Sequence, residues 1–357
     1  MKIEKPEKTV YHSLLNYLRK NGTCVLATVT SVKGSTPQIP GSSAIFGENG
    51  LLVGTIGGGA TELEVTKIIA THFYSKESGY FSFNLNHNIE EEKGPICGGG
   101  MNILIDASPL NSIQVFEELT VSISERKHGI LATFFTQTEQ VTTISRYWLT
   151  KENRHIKSES LPEALLPVVT EMLNNPVAGD FREIRLSDSA GTVNHAFLEL
   201  VLPQPLLLIA GAGHVGKALA HVCSLLDFEV VVWDERTEYA NAENLPDAHQ
   251  IFSGELAQMK KMLQPGKDTY VVIVTHGHAK DIEVLKAFIS ENVGYTGMMG
   301  SKRKIVLVHR MFLENGWATD EQWNRVHTPI GLEIGSKTVN EIAVSIAAQL
   351  IQEKNRK

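Results

Sequence analysis

The chain has 357 residues, enough for about two to three domains, and its 42% hydrophobic and 20% charged residues are typical of a soluble globular protein. The formal net charge of −7 argues against a nonspecific nucleic-acid binder. The sequence has no apolar run of the ~18 to 20 residues that a membrane span needs, and its mixed-charge start lacks the apolar core of a signal peptide, so we expect a cytoplasmic protein.

The first part of the chain predicts an α+β domain over residues 1–202. Strand and helix patterns follow one another without a fixed repeat. Helices are predicted at 8–20, 60–74, 112–125 and 161–174, and strands at 24–32, 42–46, 51–56, 80–85, 101–105, 129–136, 141–149 and 199–202.

Two glycine-rich stretches of this domain are candidate sites. Gly57, Gly58 and Gly59 separate a strand from a helix, which predicts either close approach of an anionic ligand to the backbone or a simple chain reversal. Cys97 lies between small residues, followed by Gly98 and Gly99. Its thiol is a candidate nucleophile, metal ligand or sulfur carrier, and the alternative is a small buried residue at a strand start.

The other two cysteines carry no such signal. The three positions, 24, 97 and 223, fit neither a disulfide framework nor a CxxC zinc pair. Cys24 lies in an apolar strand pattern and Cys223 on a helical pattern, so both are predicted to belong to the core.

A domain boundary is predicted at Pro203-Gln204-Pro205, and the second domain, 203–357, begins with a strand–glycine–helix–strand unit. Residues 206–210 and 230–233 read as buried parallel strands around a G-x-G-x-x-G turn, and an acid ends the second strand. The first glycine permits the turn, the second lets a phosphate approach, and the third allows close helix packing. The expected cofactor-binding residues are Gly211, Gly213, His214, Gly216 and Asp234.

Two alternatives stay open for this unit. The glycine turn alone could serve packing, and Arg236 leaves the choice between a ribose 2′-hydroxyl and a 2′-phosphate unresolved.

Two more polar clusters follow predicted strands of this doubly wound α/β domain. His276 and His278 follow the strand at 270–275, where they could bind metal, transfer protons or form a structural pair. The strand at 294–298 leads to a cluster that could grip phosphate or be solvated charge: Gly300, Ser301, Lys302 and Arg303. Since strand ends converge on one crevice, we expect both clusters near the glycine turn. A capping box at Thr338 and Glu341 begins the last helix, which is expected to end near residue 352.

Several motifs together resemble one family. In the second domain these are GxGHVGxALA, THxH at 275–278, GYTGMMGSKRK at 294–304 and HTPIGLEIGSKTVNEIAVSI at 327–346. In the first domain they are GSTPQIPG at 34–41, GTIGGGATE at 54–62 and GPICGGG at 94–100. This chain resembles the XdhC/CoxI family, the xanthine dehydrogenase accessory factors, over most of its length except roughly 110–200.

The resemblance implies a chaperone rather than an enzyme with turnover of its own. Such factors bind molybdenum cofactor (molybdopterin), assist its sulfuration and deliver it to a xanthine dehydrogenase-type apoenzyme. A cysteine desulfurase and a second copy of the chain are further expected partners. Cys97 matches the family's glycine-flanked cysteine, and the ligand is expected between the two domains. The chain departs from many relatives at Gly277, where they carry an acid, and from some at Ala60, where they carry a cysteine.

Two other functions remain open. The fingerprint and Asp234 also suit an NAD(P)-dependent oxidoreductase in which His276 or His278 is the acid or base. Nucleotidyl transfer to a pterin is the third possibility.

Overall fold

In the computed structural model of the protein, the residues described are 9–84, 99–138, 142–153, 162–187 and 193–356. They form two compact units, which meet in sequence between Pro203 and Gln204. Within those ranges no helix is long and apolar enough to cross a membrane. The predicted site at Cys97 and Gly98 lies outside the described residues.

Two antiparallel sheets form the framework of the first unit. The larger contains β1 (Val25–Lys33), β2 (Ser43–Gly47), β3 (Gly50–Gly54), β4 (Gly79–Asn84) and β5 (Gly100–Asp106), in the order β3-β2-β1-β5-β4. The smaller contains β6 (Gly129–Gln137), β7 (Thr142–Leu149), β8 (Phe181–Ser187) and β9 (Val193–Val201), in the order β7-β6-β9-β8. The antiparallel sheets and the helices around them confirm the α+β class.

Four helices pack against these sheets: α1 (Val10–Asn21), α2 (Gly59–Ser75), α3 (Ile113–Ser124) and α4 (Leu166–Asn174). The sequence predicted all four, but the fourth starts later than 161 because a 3₁₀ turn, Glu163–Leu165, precedes it and a proline occupies its first turn. Strand β8 was not predicted, since its charged residues hide the alternation. Cys24 is buried in the core of this unit, as predicted.

The second unit is a parallel sheet covered on both faces. Its strands are β10 (Leu206–Ala210), β11 (Glu229–Asp234), β12 (Gln250–Ser253), β13 (Thr269–Ile273), β14 (Tyr295–Met298) and β15 (Val326–His327), in the order β12-β11-β10-β13-β14-β15. Its helices are α5 (His214–Cys223), α6 (Leu256–Leu263), α7 (His278–Phe288), α8 (Lys302–Glu314), α9 (Asp320–Asn324) and α10 (Val339–Lys354).

Strand β10 shows why the sequence reads as one apolar run. Leu206, Leu208 and Ala210 face the core layer beneath helices α6 to α8, whereas Leu207 and Ile209 face the layer beneath α5 and α10. A strand buried on both faces needs no polar alternation. The doubly wound prediction is confirmed, and Cys223 is buried in the second of these layers.

The last part of this unit contains two elements that the sequence did not predict, α9 and β15. Both are short, so neither produces a clear periodic pattern. The predicted capping box is confirmed: the Thr338 hydroxyl accepts from the Glu341 N–H, and the Glu341 carboxylate accepts from the Thr338 N–H.

Candidate functional site

The carboxyl ends of the parallel strands form the main candidate site. Because β10 lies between β11 and β13, the strand order reverses direction between β10 and β13. Crevices at such reversals are where open α/β sheets bind ligands. The turns after β10 and β13 are adjacent, since the Val274 N–H donates to the Ala210 carbonyl at 2.9 Å. The turn after β14 joins them, with the Met299 N–H donating to the Ile273 carbonyl at 2.9 Å.

The three fingerprint glycines have different surroundings. Gly211 has a φ of +122°, and a Cβ there would lie 2.4 Å from the Val274 carbonyl oxygen. At Gly216 a Cβ would lie 1.8 Å from the Gly211 carbonyl oxygen. Around Gly213, in contrast, a Cβ would meet nothing within 4 Å. The first and third glycines are therefore required by the fold, whereas the second leaves open space at the start of α5.

Asp234 has a different set of partners from the one expected. Its carboxylate accepts from the Ala212 N–H at 2.8 Å, from the Arg236 N–H at 3.1 Å, and from the Arg236 guanidinium at 2.9 Å through both Nε and Nη2. Burial opposes ionisation, but these hydrogen bonds outweigh it and lower the pKa of Asp234. Four donors fill the accepting capacity of a carboxylate. Asp234 thus holds the glycine turn in place, and its ribose contact stays a prediction.

A buried ion pair that the sequence analysis missed joins the other two turns. The Asp281 carboxylate pairs with the Lys304 ammonium and also accepts from the Thr275 N–H at 3.1 Å and hydroxyl at 2.6 Å. Lys304 donates further to the Met299 carbonyl at 2.9 Å. The sequence carried one signal, a lysine directly after the predicted basic cluster, but it could not show that this cation turns inward. The pair fixes the starts of α7 and α8 at the crevice.

The histidines lie at the same edge of the sheet. His276 and His278 are both exposed, one in the turn after β13 and the other as the first residue of α7. In the ranges that the structure covers, no three His, Cys, Asp or Glu side chains gather as a metal site. Their predicted role in proton transfer stays untested.

The predicted basic cluster opens α8. Ser301 caps the helix by accepting from the Lys304 N–H at 3.3 Å, while Gly300 lies against the Lys304 side chain. Lys302 and Arg303 are exposed, and neither forms an ion pair with another described residue. Two cations are therefore available to an anion at the end of β14.

The glycine motifs of the first unit also converge. A Cβ on Gly99 would lie 2.3 Å from the Ser35 carbonyl oxygen, and one on Gly57 would lie 3.1 Å from the Pro37 ring. The three motifs at 34–41, 54–62 and 94–100 thus meet, although far apart in sequence. A cavity of about 570 Å³ lies beside them, and its lining includes Lys33 and Gly99.

The start of α2 in this unit carries its own negative charge. Gly57 and Gly58 have φ values of +141° and +68°, and Gly58 caps the helix without a side-chain hydrogen bond. In its first turn, Glu62 has a buried oxygen, Oε1, that accepts no hydrogen bond from any described residue. The ligand role predicted for Gly57 to Gly59 is not tested by this arrangement.

Comparison with known proteins adds a family to this geometry. Residues 207–350 match the model of the XdhC Rossmann domain, and residues 17–83 match that of the XdhC and CoxI family. A Bacillus subtilis protein, named as one probable subunit of xanthine dehydrogenase, is 25% identical over 352 residues, which are 97% of this chain and 98% of the relative. The uncharacterized protein YqeB of Escherichia coli is 32% identical over 203 residues, 57% of this chain but 37% of its own length.

The same assignment agrees with a solved structure. A crystal structure titled xanthine dehydrogenase, from Bacillus halodurans, superposes with a TM-score of 0.73 over 97% of this chain and 96% of the other, at 23% sequence identity. At that identity the likeness concerns the fold. The family matches at both ends of the chain, together with this shared fold, show that the chain belongs to the XdhC and CoxI family.

Proposed function

We propose that this protein is an accessory factor that binds molybdenum cofactor, assists its sulfuration and helps its insertion into a xanthine dehydrogenase-type enzyme. The proposal is supported by the family and by the Bacillus subtilis relative named for xanthine dehydrogenase, which matches nearly end to end. When bound, the cofactor supplies the receiving enzyme with its metal centre. This chain's own task is to hold and orient it.

One observation carries the proposal: open backbone at Gly213 occurs at the same sheet edge as Lys302 and Arg303, two cations that pair with no other described residue. Molybdopterin bears a phosphate, and a helix start with free N–H groups suits such an anion. The residues present therefore fit the phosphate end of the cofactor. Gly213 gives it access to the start of α5, and the two cations add charge-assisted hydrogen bonds.

The same geometry weighs against the alternative of an NAD(P)-dependent oxidoreductase. The strand order suits a dinucleotide, but the acid that would read the ribose already accepts four hydrogen bonds from Ala212 and Arg236. A dinucleotide would have to displace the contacts that hold the glycine turn. For this reason we assign the crevice to a phosphate rather than to an adenosine ribose.

The sulfuration role is assigned to Cys97 by the chemistry of its thiol. Burial raises the pKa of both Cys24 and Cys223 to about 12, with Asp106 contributing at Cys24, so their thiols stay protonated and unreactive near neutral pH. We expect a persulfide on Cys97 after incubation with a cysteine desulfurase and cysteine. If Cys97→Ala accepts and delivers sulfur as well as the wild-type protein, the thiol role is wrong.

The binding role is tested by native mass spectrometry of protein co-expressed with a molybdopterin pathway. We expect a released pterin, and about tenfold lower occupancy in the Lys302→Ala/Arg303→Ala variant, the loss expected of a charge-assisted hydrogen bond. Arg310→Ala is the matched control, because this exposed arginine of the same helix pairs with Glu314 at 3.0 Å. Bound NAD(P) with turnover of an aldehyde or hydroxy acid would contradict the proposal.

A further inference from the structure

An ion pair lies across the entrance of the Rossmann crevice. Glu235 directly follows β11, and its Oε2 lies 2.6 Å from the Lys280 Nζ on α7. Its Oε1 lies 3.8 Å from Nε2 of His276, in the turn after β13. The carboxylate therefore contacts two side chains from the opposite side of the crevice.

The strand order puts this contact over the end of β10. Since β10 lies between β11 and β13, and neighbouring strands are about 4.8 Å apart, the pair bridges roughly 10 Å. The glycine turn beneath is tied to both sides, with the Gly211 N–H donating to the Trp233 carbonyl at 2.7 Å and the Val274 N–H donating to Ala210. A ligand that reaches the open space at Gly213 must pass this pair.

The fold does not need the bridge. The turn after β11 is already held by Asp234, and the turn after β13 by Asp281. Both members of the bridge are partly exposed, at 21% for the Lys280 side chain and 37% for that of Glu235, so each can move. Ion pairs with such exposure contribute little to stability. Lys280 would also keep a partner if Glu235 left, because Glu283 lies 2.7 Å from its ammonium on the same helix.

We propose that Glu235 occupies the place of an anionic ligand, and that Lys280 is a binding residue which the ligand takes over from it. A carboxylate in contact with the binding cation must be outcompeted, so the crevice selects phosphate monoesters or diphosphates, with about two negative charges, over singly charged carboxylates. This inference rests on the phosphate-binding role proposed above for the crevice, but not on the identity of the ligand as molybdenum cofactor.

The test is calorimetric titration of the full chain with inorganic pyrophosphate at low salt. Glu235→Gln should bind about fivefold more tightly, the effect of one unit charge a few ångströms away in water-like surroundings. Lys280→Met should bind about fivefold more weakly for the same reason. In the double variant Glu235→Gln/Lys280→Met, the gain from Glu235→Gln should vanish, since it comes from release of Lys280.

Glu283→Gln is the matched control. It removes a carboxylate from the same lysine without opening the bridge, and it should change the dissociation constant by less than about twofold. Equal effects of Glu235→Gln and Glu283→Gln, wild-type binding by Lys280→Met, a gain that persists in the double variant, or no pyrophosphate binding by any protein would each overturn the inference. Failure to capture a pterin from cells would overturn the proposed function and leave these constants standing.

Discussion

Two strand–glycine–helix junctions in this chain look alike in sequence and differ in charge. The junction at Gly211 to Gly216 leads into a helix without an acid in its first turn, and Lys302 and Arg303 open another helix at the same sheet edge. The junction at Gly57 to Gly59 leads into α2, whose first turn carries Glu62. The surroundings, rather than the glycines, decide which junction attracts an anion.

The glycines also differ in why they are needed. At Gly211 and Gly216 a Cβ would meet backbone atoms that cannot move, whereas a Cβ at Gly58 would lie 3.8 Å from the flexible end of Glu62. The Rossmann junction is thus fixed by packing at two positions and open at a third. The N-terminal junction is constrained only by its positive φ angles at Gly57 and Gly58.

The largest expected effect is loss of the buried pair beneath the Rossmann junction. Asp281→Ala should lower the free energy of unfolding of this unit by about 3 to 5 kcal/mol, because it leaves the Lys304 ammonium without its carboxylate. Calorimetric unfolding measures the loss. Lys286→Ala, an exposed residue of the same helix, is the control, and equal stability of the two variants would show that the pair is dispensable.

Next in size is the comparison of the two junctions by alanine substitution. Gly216→Ala should destabilise the protein by about 3 kcal/mol, since the new Cβ would overlap the Gly211 carbonyl. Gly58→Ala should cost about 1 kcal/mol, from its φ of +68° alone. Urea unfolding compares them. A reversed order would contradict the account of which junction is fixed by packing.

The two units should respond to pH in opposite directions. Burial raises the pKa of Glu199, in the first unit, to about 7, despite the lowering effects of Tyr11 and Arg146. Because the folded pKa lies above the unfolded value, that stability is complete below about pH 4.3 and is lost as pH rises through 7, by up to roughly 1.4 kcal/mol per pH unit. Asp234, whose pKa is lowered, stabilises the second unit above its unfolded pKa and loses this as pH falls.

Thermal unfolding between pH 4 and 8 separates these responses. Glu199→Gln should remove the decline of the first unit towards pH 8, because the amide is neutral at every pH. A wild-type decline that persists in this variant would assign it to another group.

The smallest expected effect on stability isolates binding from folding. Gly213→Ala should unfold like the wild-type protein, since its φ is −72° and nothing lies within 4 Å of the added carbon. Its affinity for pyrophosphate should nevertheless fall by about tenfold, because the methyl group occupies the approach to the helix start. Unchanged affinity would show that the ligand does not pass over this residue.

The sequence predicted most elements because their burial patterns are local. The run at Leu206–Ala210 is apolar on both faces, and Thr338 and Glu341 spell a capping box, so strand and helix start can be read from neighbours in the chain. Strand β8 escaped prediction because Arg182 and Glu183 interrupt its alternation while bonding to partners elsewhere.

The partners within the site could not be read in the same way. Asp234 stood where a ribose-binding acid is expected, and only the fold shows that Ala212 and Arg236 fill its oxygens. Lys304 continued a run of three cations, yet it alone turns inward to Asp281. Such choices depend on contacts between residues that are distant in sequence, which periodicity does not encode.

The most direct measurement is a crystal structure of the protein with molybdopterin bound. The account predicts that the phosphate of the pterin lies over Gly213, within hydrogen-bond distance of the start of α5, with Lys302 or Arg303 as a second contact. A phosphate held instead beside Lys33 and Gly99 in the first unit, with the Rossmann crevice free of ligand, would contradict it.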